Sequence, residues 1–104
     1  MGTSCVVRFV DEGRSLCAFY KHYDGGAFKQ ELYEFLEGYE IVCGLPLGVP
    51  TGKKIANGIG DLAAQAIAYF KDGPGDIYMC HPENEGDFTY EIDASEGEIA
   101  VRTI

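Results

Sequence analysis

Between Asp72 and Val101 the chain has no lysine and no arginine. That stretch carries nine carboxylates: Asp72, Asp76, Glu83, Glu85, Asp87, Glu91, Asp93, Glu96 and Glu98. The first 71 residues hold eight acids against seven bases, and with Arg102 included the formal net charge is −9. A nearly neutral front and a strongly acidic final third speak about partners, not about fold. The pattern excludes sequence-tolerant binding to DNA or RNA, which needs cations laid along the phosphates. Two openings remain: an acidic surface offered to a basic partner, or a pocket in the neutral two-thirds.

Other absences narrow the field. No apolar run approaches the roughly 20 residues that a bilayer crossing requires, and the N-terminus lacks the basic region and apolar stretch of a signal peptide. A cytoplasmic protein without a membrane partner is expected. Gly2 follows Met1, but Val6 stands where N-myristoylation wants Ser or Thr. Cysteine is sparse and scattered: Cys5, Cys17, Cys43 and Cys80 form no C-x-x-C pair and sit among apolar neighbours. Zinc sites bring ligands in close pairs, so reduced, buried thiols are the better reading. The only serines are Ser4, Ser15 and Ser95, none in a G-x-S-x-G context. Tryptophan is absent, and seven Tyr with six Phe supply the bulk for the single core that 104 residues can close.

Periodicity divides these residues into elements. Thr3–Val10 is β-branched and apolar, Asp11-Glu12-Gly13 is a turn, and Arg14–Tyr23 reads as the returning strand of a hairpin. Asp24-Gly25-Gly26 breaks it. From Ala27 to Glu37, Phe28, Leu32, Phe35 and Leu36 fall on one helical stripe. Glu40–Cys43 is a short strand, and Gly44–Asn57, with two prolines and three glycines, reads as a long loop. A second helix covers Gly60–Lys71, its apolar stripe formed by Leu62, Ala63, Ala66, Ile67 and Phe70. Gly73-Pro74-Gly75 stops it. Three strands follow, at Asp76–His81, Phe88–Ala94 and Glu98–Ile104. In the middle one, Phe88, Tyr90, Ile92 and Ala94 alternate with Thr89, Glu91 and Asp93, a buried face and a wet one. The order ββα(β)αβββ predicts a single α+β domain over 1–104: a two-layer sandwich of two helices on a mostly antiparallel sheet.

Three segments carry candidate chemistry. Gly48–Lys54 looks like a phosphate-binding P-loop but has three residues between its glycines where four are needed, and Lys54 stands where Ser or Thr belongs. An ATPase is excluded, and Lys53 and Lys54 remain as a pair of bases on a loop. The start of the second helix, Asn57-Gly58-Ile59-Gly60-Asp61, offers backbone N–H groups to an anion. The plainer reading makes Asn57 or Asp61 a cap, and the Asp61 carboxylate competes with any anionic ligand. Tyr20-Lys21-His22-Tyr23-Asp24 is the densest polar-aromatic cluster. On a strand, Tyr20 and His22 share one face while Lys21 and Tyr23 share the other. Rings with a His and a Lys suit a base and a phosphate, though such rings also line sheet ends for packing alone.

Read in order, these segments resemble a widespread family of small uncharacterised proteins from phages and bacterial genomes. The resemblance rests on Met1-Gly2-Thr3, Tyr20-Lys21-His22-Tyr23-Asp24-Gly25, Lys29-Gln30-Glu31-Leu32, Ala56-Asn57-Gly58-Ile59-Gly60-Asp61-Leu62-Ala63-Ala64-Gln65 and Gly73-Pro74-Gly75-Asp76-Ile77-Tyr78. Two departures mark this chain. Gly26 runs straight into the helix where the family has a Tyr-Pro-Ser-Gly-His insertion, and Asp61 replaces a cysteine. What the resemblance implies is a phage-type setting, in which small acidic proteins counter host defences by binding and not by chemistry.

The leading expectation is therefore a non-enzymatic accessory protein of the host-cell cytoplasm that sequesters a nucleotide-derived signal, with no cofactor. In it Tyr20 and Tyr23 stack, Lys21 and His22 meet phosphate beside Asp24, Asn57, Gly58 and Gly60 donate backbone bonds, and Lys53 and Lys54 close the pocket. A homo-oligomer sharing the pocket suits so small a domain. The alternative is an acidic inhibitor or nucleic-acid mimic that presents region 83–98 to a basic host protein. A third, weaker option is a nucleotide hydrolase using His22 and Asp24.

Overall fold

A computed structural model describes residues 3–44, 54–94 and 98–104. The hairpin strands β1 (Cys5–Asp11) and β2 (Arg14–Lys21) lead into helix α1 (Phe28–Leu36). Strand β3 (Glu40–Val42), strand β4 (Ile55–Asn57) and helix α2 (Gly58–Phe70) follow, then β5 (Ile77–Cys80), β6 (Phe88–Asp93) and β7 (Ala100–Thr103). The main sheet runs β5-β2-β1-β6-β7, while β3 and β4 pair separately, in parallel. Within the main sheet every pair is antiparallel except β1 with β6. The protein is an α+β sandwich of two helices on a mixed sheet. No helix among the described residues is long and apolar enough to cross a membrane.

Central β1 explains its own sequence. Cys5, Val7 and Phe9 face the helices with Phe19, Ile77, Tyr90 and Ile92, and join one core with Phe28, Leu32, Phe35, Leu62, Ala63 and Ala66. Val6 and Val10 point the other way and are buried too. A strand covered on both faces has no alternation to show, which is why CVVRFV reads as a continuous apolar run. Part of the second cover comes from the chain between β5 and β6. To reach β6 from the sheet edge, residues 81–87 cross β2 and β1 on the face that the helices leave open. There the Arg8 guanidinium donates to the Asn84 carbonyl at 3.1 Å, and Asp87 accepts from the Ser4 N–H at 2.8 Å.

The structure corrects three details of the sequence reading. The segment 44–57 is not loop throughout, since Ile55–Asn57 forms β4; three residues are too few to show a period. Helix α2 begins at Gly58, not Gly60, and α1 at Phe28, with Ala27 in the preceding turn. The outward face of β6 is only partly wet. Thr89 is buried, while Arg8 pairs with Glu91 at 3.7 Å and Arg102 with Glu91 and Asp93 at 3.5 and 3.1 Å. Arg8 and Arg102, the register partners of Glu91 on the two neighbouring strands, pair with those carboxylates across the outer face and leave them half-buried.

Candidate functional site

At the end of β2 the strand's two faces separate the polar-aromatic cluster. Lys21 turns to the helix side, 8% exposed, with its ammonium 5.2 Å from the Phe28 ring centre. It donates to Asp76 Oδ2 at 2.7 Å, and the Tyr23 N–H donates to Asp76 Oδ1 at 3.3 Å. Burial raises the Asp76 carboxyl, but the Lys21 hydrogen bond and charge, the Tyr23 N–H and His22 outweigh it, so the group lies below the usual aspartate range. The backbone adds a bond from the His22 N–H to the Asp76 carbonyl at 2.8 Å. Asp76 thus fastens the start of β5 to the end of β2.

Tyr20 and His22 occupy the open face, with the Tyr20 hydroxyl 3.2 Å from His22 Nδ1. Tyr78, the register partner of Tyr20, brings a third ring to 6.4 Å, and Tyr23 meets His22 edge-on at 4.5 Å. Tyr23 and Tyr78 are 54% and 53% exposed. Asp24, exposed at φ +57, follows immediately. The Lys71 ammonium lies 5.6 Å from the Tyr78 ring centre while donating to the Gly75 and Ile77 carbonyls at 2.9 and 2.8 Å. Tyr78, Lys71 and Asp76 are not among the expected site residues, although Asp76 and Tyr78 stand in a motif that carries the resemblance. Only the register of β5 against β2 joins them to the cluster, and the Gly73-Pro74-Gly75 stop between them gives no sign of it.

The other half of the expected pocket lies elsewhere. Gly60 stands against Leu16, to whose Cδ2 an added Cβ would come within 3.5 Å. Leu16 is near the start of β2 and Tyr20 near its end, roughly 13 Å apart at about 3.3 Å per residue. The start of α2 and the ring cluster therefore occupy opposite ends of the strand, and a single pocket uniting Tyr20–Asp24 with Asn57–Gly60 is not formed. Asn57 Oδ1 accepts the Gly44 N–H and Asp61 Oδ2 accepts the Asn57 N–H, both at 2.7 Å, so Asp61 reaches back as the helix-start partner. Gly58 takes φ +82, which its lack of a side chain permits. Lys54 donates to the Phe35 and Glu37 carbonyls and closes the last turn of α1. Lys53 lies outside the described residues, as do most of the P-loop-like segment and Glu96.

Elsewhere, an open groove of about 360 Å³ runs between α1 and β7, lined by Tyr33, Leu36, Glu37, Ile99 and Val101. A more polar hollow of about 420 Å³ lies at the hairpin tip, lined by Asp11, Glu12, Arg14, Ser15 and Leu16. Neither touches the ring cluster. Among the described residues no group of three His, Cys, Asp or Glu is placed to hold a metal ion. Cys5 is fully buried, and burial, partly offset by Lys21, pushes its thiol up to about 12. No family model, curated protein or solved structure matches the chain.

Proposed function

We propose that this is a non-enzymatic accessory protein, of the phage-type cytoplasmic setting implied by its motifs, that works by docking onto a basic partner protein. The observation that carries this reading is the fate of the cations. Lys21 is buried against Asp76 and Lys54 is spent on main-chain carbonyls. Two of the charges expected to meet phosphate in a nucleotide pocket, Lys21 and Lys54, are thereby committed to the fold itself. The acidic third fares differently: Glu91 and Asp93 are held by arginines, but Glu83 and Glu85 stay exposed on the segment that crosses the open face. Exposed carboxylates of this kind complement a positive patch.

Affinity capture from host lysate at low and at high salt tests it. One basic protein should be retained, released by salt, and lost from the Glu83→Gln/Glu85→Gln variant. Capture that is indifferent to both salt and substitution would sink the reading. Sequestration of a nucleotide-derived molecule stands second, favoured by the four clustered rings of Tyr20, His22, Tyr23 and Tyr78. A nucleotide at about 100 times its Kd adds roughly 2.7 kcal/mol of stability, and a Tm rise of about 10 °C in a nucleotide screen would put this reading first.

A further inference from the structure

We infer that the ring cluster at the end of β2 is the anchor of that docking surface and takes an arginine side chain of the basic partner. The inference rests on the basic-partner reading and names which chemical group the surface selects.

Four observations lead to it. Tyr23 and Tyr78 are more than half exposed although both are large rings, and with Tyr20 and His22 they make one continuous aromatic surface. A cation already lies over one of these rings: the Lys71 ammonium, 5.6 Å from the centre of Tyr78. Carboxylates border the cluster. Asp24 follows Tyr23 directly, and the acidic crossing segment comes close to the start of β1 at Gly86, where an added Cβ would fall 2.9 Å from the Cα of Cys5, the register partner of Lys21. Finally, the buried Lys21 is neutralised by Asp76, and Lys71 is held by the Gly75 and Ile77 carbonyls at the Tyr78 edge of the surface. The Tyr23 end is left without a cation over its ring among the described residues.

Arginine fits this combination better than lysine does. Its guanidinium is planar, stacks on a ring while hydrogen-bonding carboxylates in its own plane, and gives up its hydration more readily than an ammonium. A phosphate would meet the same rings but would face Asp24 and the acidic crossing segment. Tyrosine and arginine are also among the residues enriched at the energetic centres of protein interfaces.

The test is calorimetric titration of the full chain with a seven-arginine and a seven-lysine peptide, in about 50 mM NaCl to limit screening. The arginine peptide should bind about fivefold more tightly, because its guanidinium stacks on a ring and gives up hydration more readily than an ammonium that can meet the same rings. Tyr23→Leu/Tyr78→Leu, which keeps apolar bulk and removes the π faces, should bring the arginine peptide down to the lysine value with Tm unchanged. Glu83→Gln/Glu85→Gln should weaken both peptides alike and keep the preference. Equal binding of the two peptides, or an arginine preference that survives Tyr23→Leu/Tyr78→Leu, overturns the inference and leaves the acidic-surface reading standing. Failure of both peptides to bind overturns the two together.

Discussion

Lys21 and Asp76 meet at 2.7 Å across the junction of β2 and β5, 55 positions apart in sequence. The lysine is nearly buried, its ammonium pinned between a carboxylate and the Phe28 ring. Asp76 holds φ +66, an uncommon conformation that aspartate tolerates better than most residues, and spends both carboxylate oxygens and its carbonyl on Lys21, Tyr23 and His22. One residue therefore sets where β2 ends, where β5 begins and where the aromatic cluster stands.

That arrangement makes stability depend on acid in a definite direction. The folded Asp76 carboxyl lies below its ordinary value of 3.8, so its contribution is fully present above that value and fades as the pH falls through the folded one. Asp76→Asn should lower stability by about 1 kcal/mol at neutral pH, a modest figure because solvent reaches the carboxylate and screens the pair. Denaturant midpoints measured from pH 7 down to pH 3 should show a smaller acid loss in Asp76→Asn than in the wild type. Parallel curves would show that the carboxylate is not linked to folding.

Gly25 is required by space. A Cβ there would sit 2.4 Å from the Ser4 carbonyl carbon and oxygen and 2.7 Å from the Cys5 nitrogen, and backbone at the entry to a central strand cannot readily withdraw. Gly25→Ala should cost about 3 kcal/mol or more. Gly13, at φ +80 in the hairpin turn with nothing near its missing Cβ, provides the contrast: Gly13→Ala should cost only about 1 kcal/mol. Thermal melts of the two variants side by side decide the point.

Tyr90 is 2% exposed, and its hydroxyl donates to the Gly25 carbonyl at 2.7 Å. Tyr90→Phe removes that donor and leaves the ring in place. The expected loss is about 1–2 kcal/mol, read as a Tm decrease on the order of 4–8 °C per kcal/mol.

The thiols should react in order of exposure. Cys43 is exposed, Cys17 and Cys80 are half-buried with thiols raised by burial, and Cys5 is sealed in the core. A thiol reagent at pH 8 should label Cys43 first, with Cys5 reacting only on unfolding. Rapid labelling of Cys5, located by peptide mapping, would contradict the packing of β1.

Much of this was legible along the chain. The stripe of Phe28, Leu32, Phe35 and Leu36 identified α1, and the apolar stripe of Leu62, Ala63, Ala66, Ile67 and Phe70 identified α2, because helical periodicity is a local property of the backbone. The shared face of Tyr20 and His22 was legible for the same reason. The alternation in β6 correctly placed Tyr90 and Ile92 inside, yet it misjudged Glu91 and Asp93. Arg8 and Arg102, which hold Glu91, come from two different neighbouring strands and leave no mark beside it in sequence.

The sequence by itself determined the element types and the acidic final third, since each follows from residue spacing or summed charge. Only the tertiary structure decided that β1 pairs in parallel with β6, that Asp76 claims Lys21, and that α2 starts at the far end of β2 from the ring cluster. Those facts depend on which distant segments meet when the core closes. Loop closure costs rise only slowly with length, so the chain between two segments says little about whether they will be neighbours.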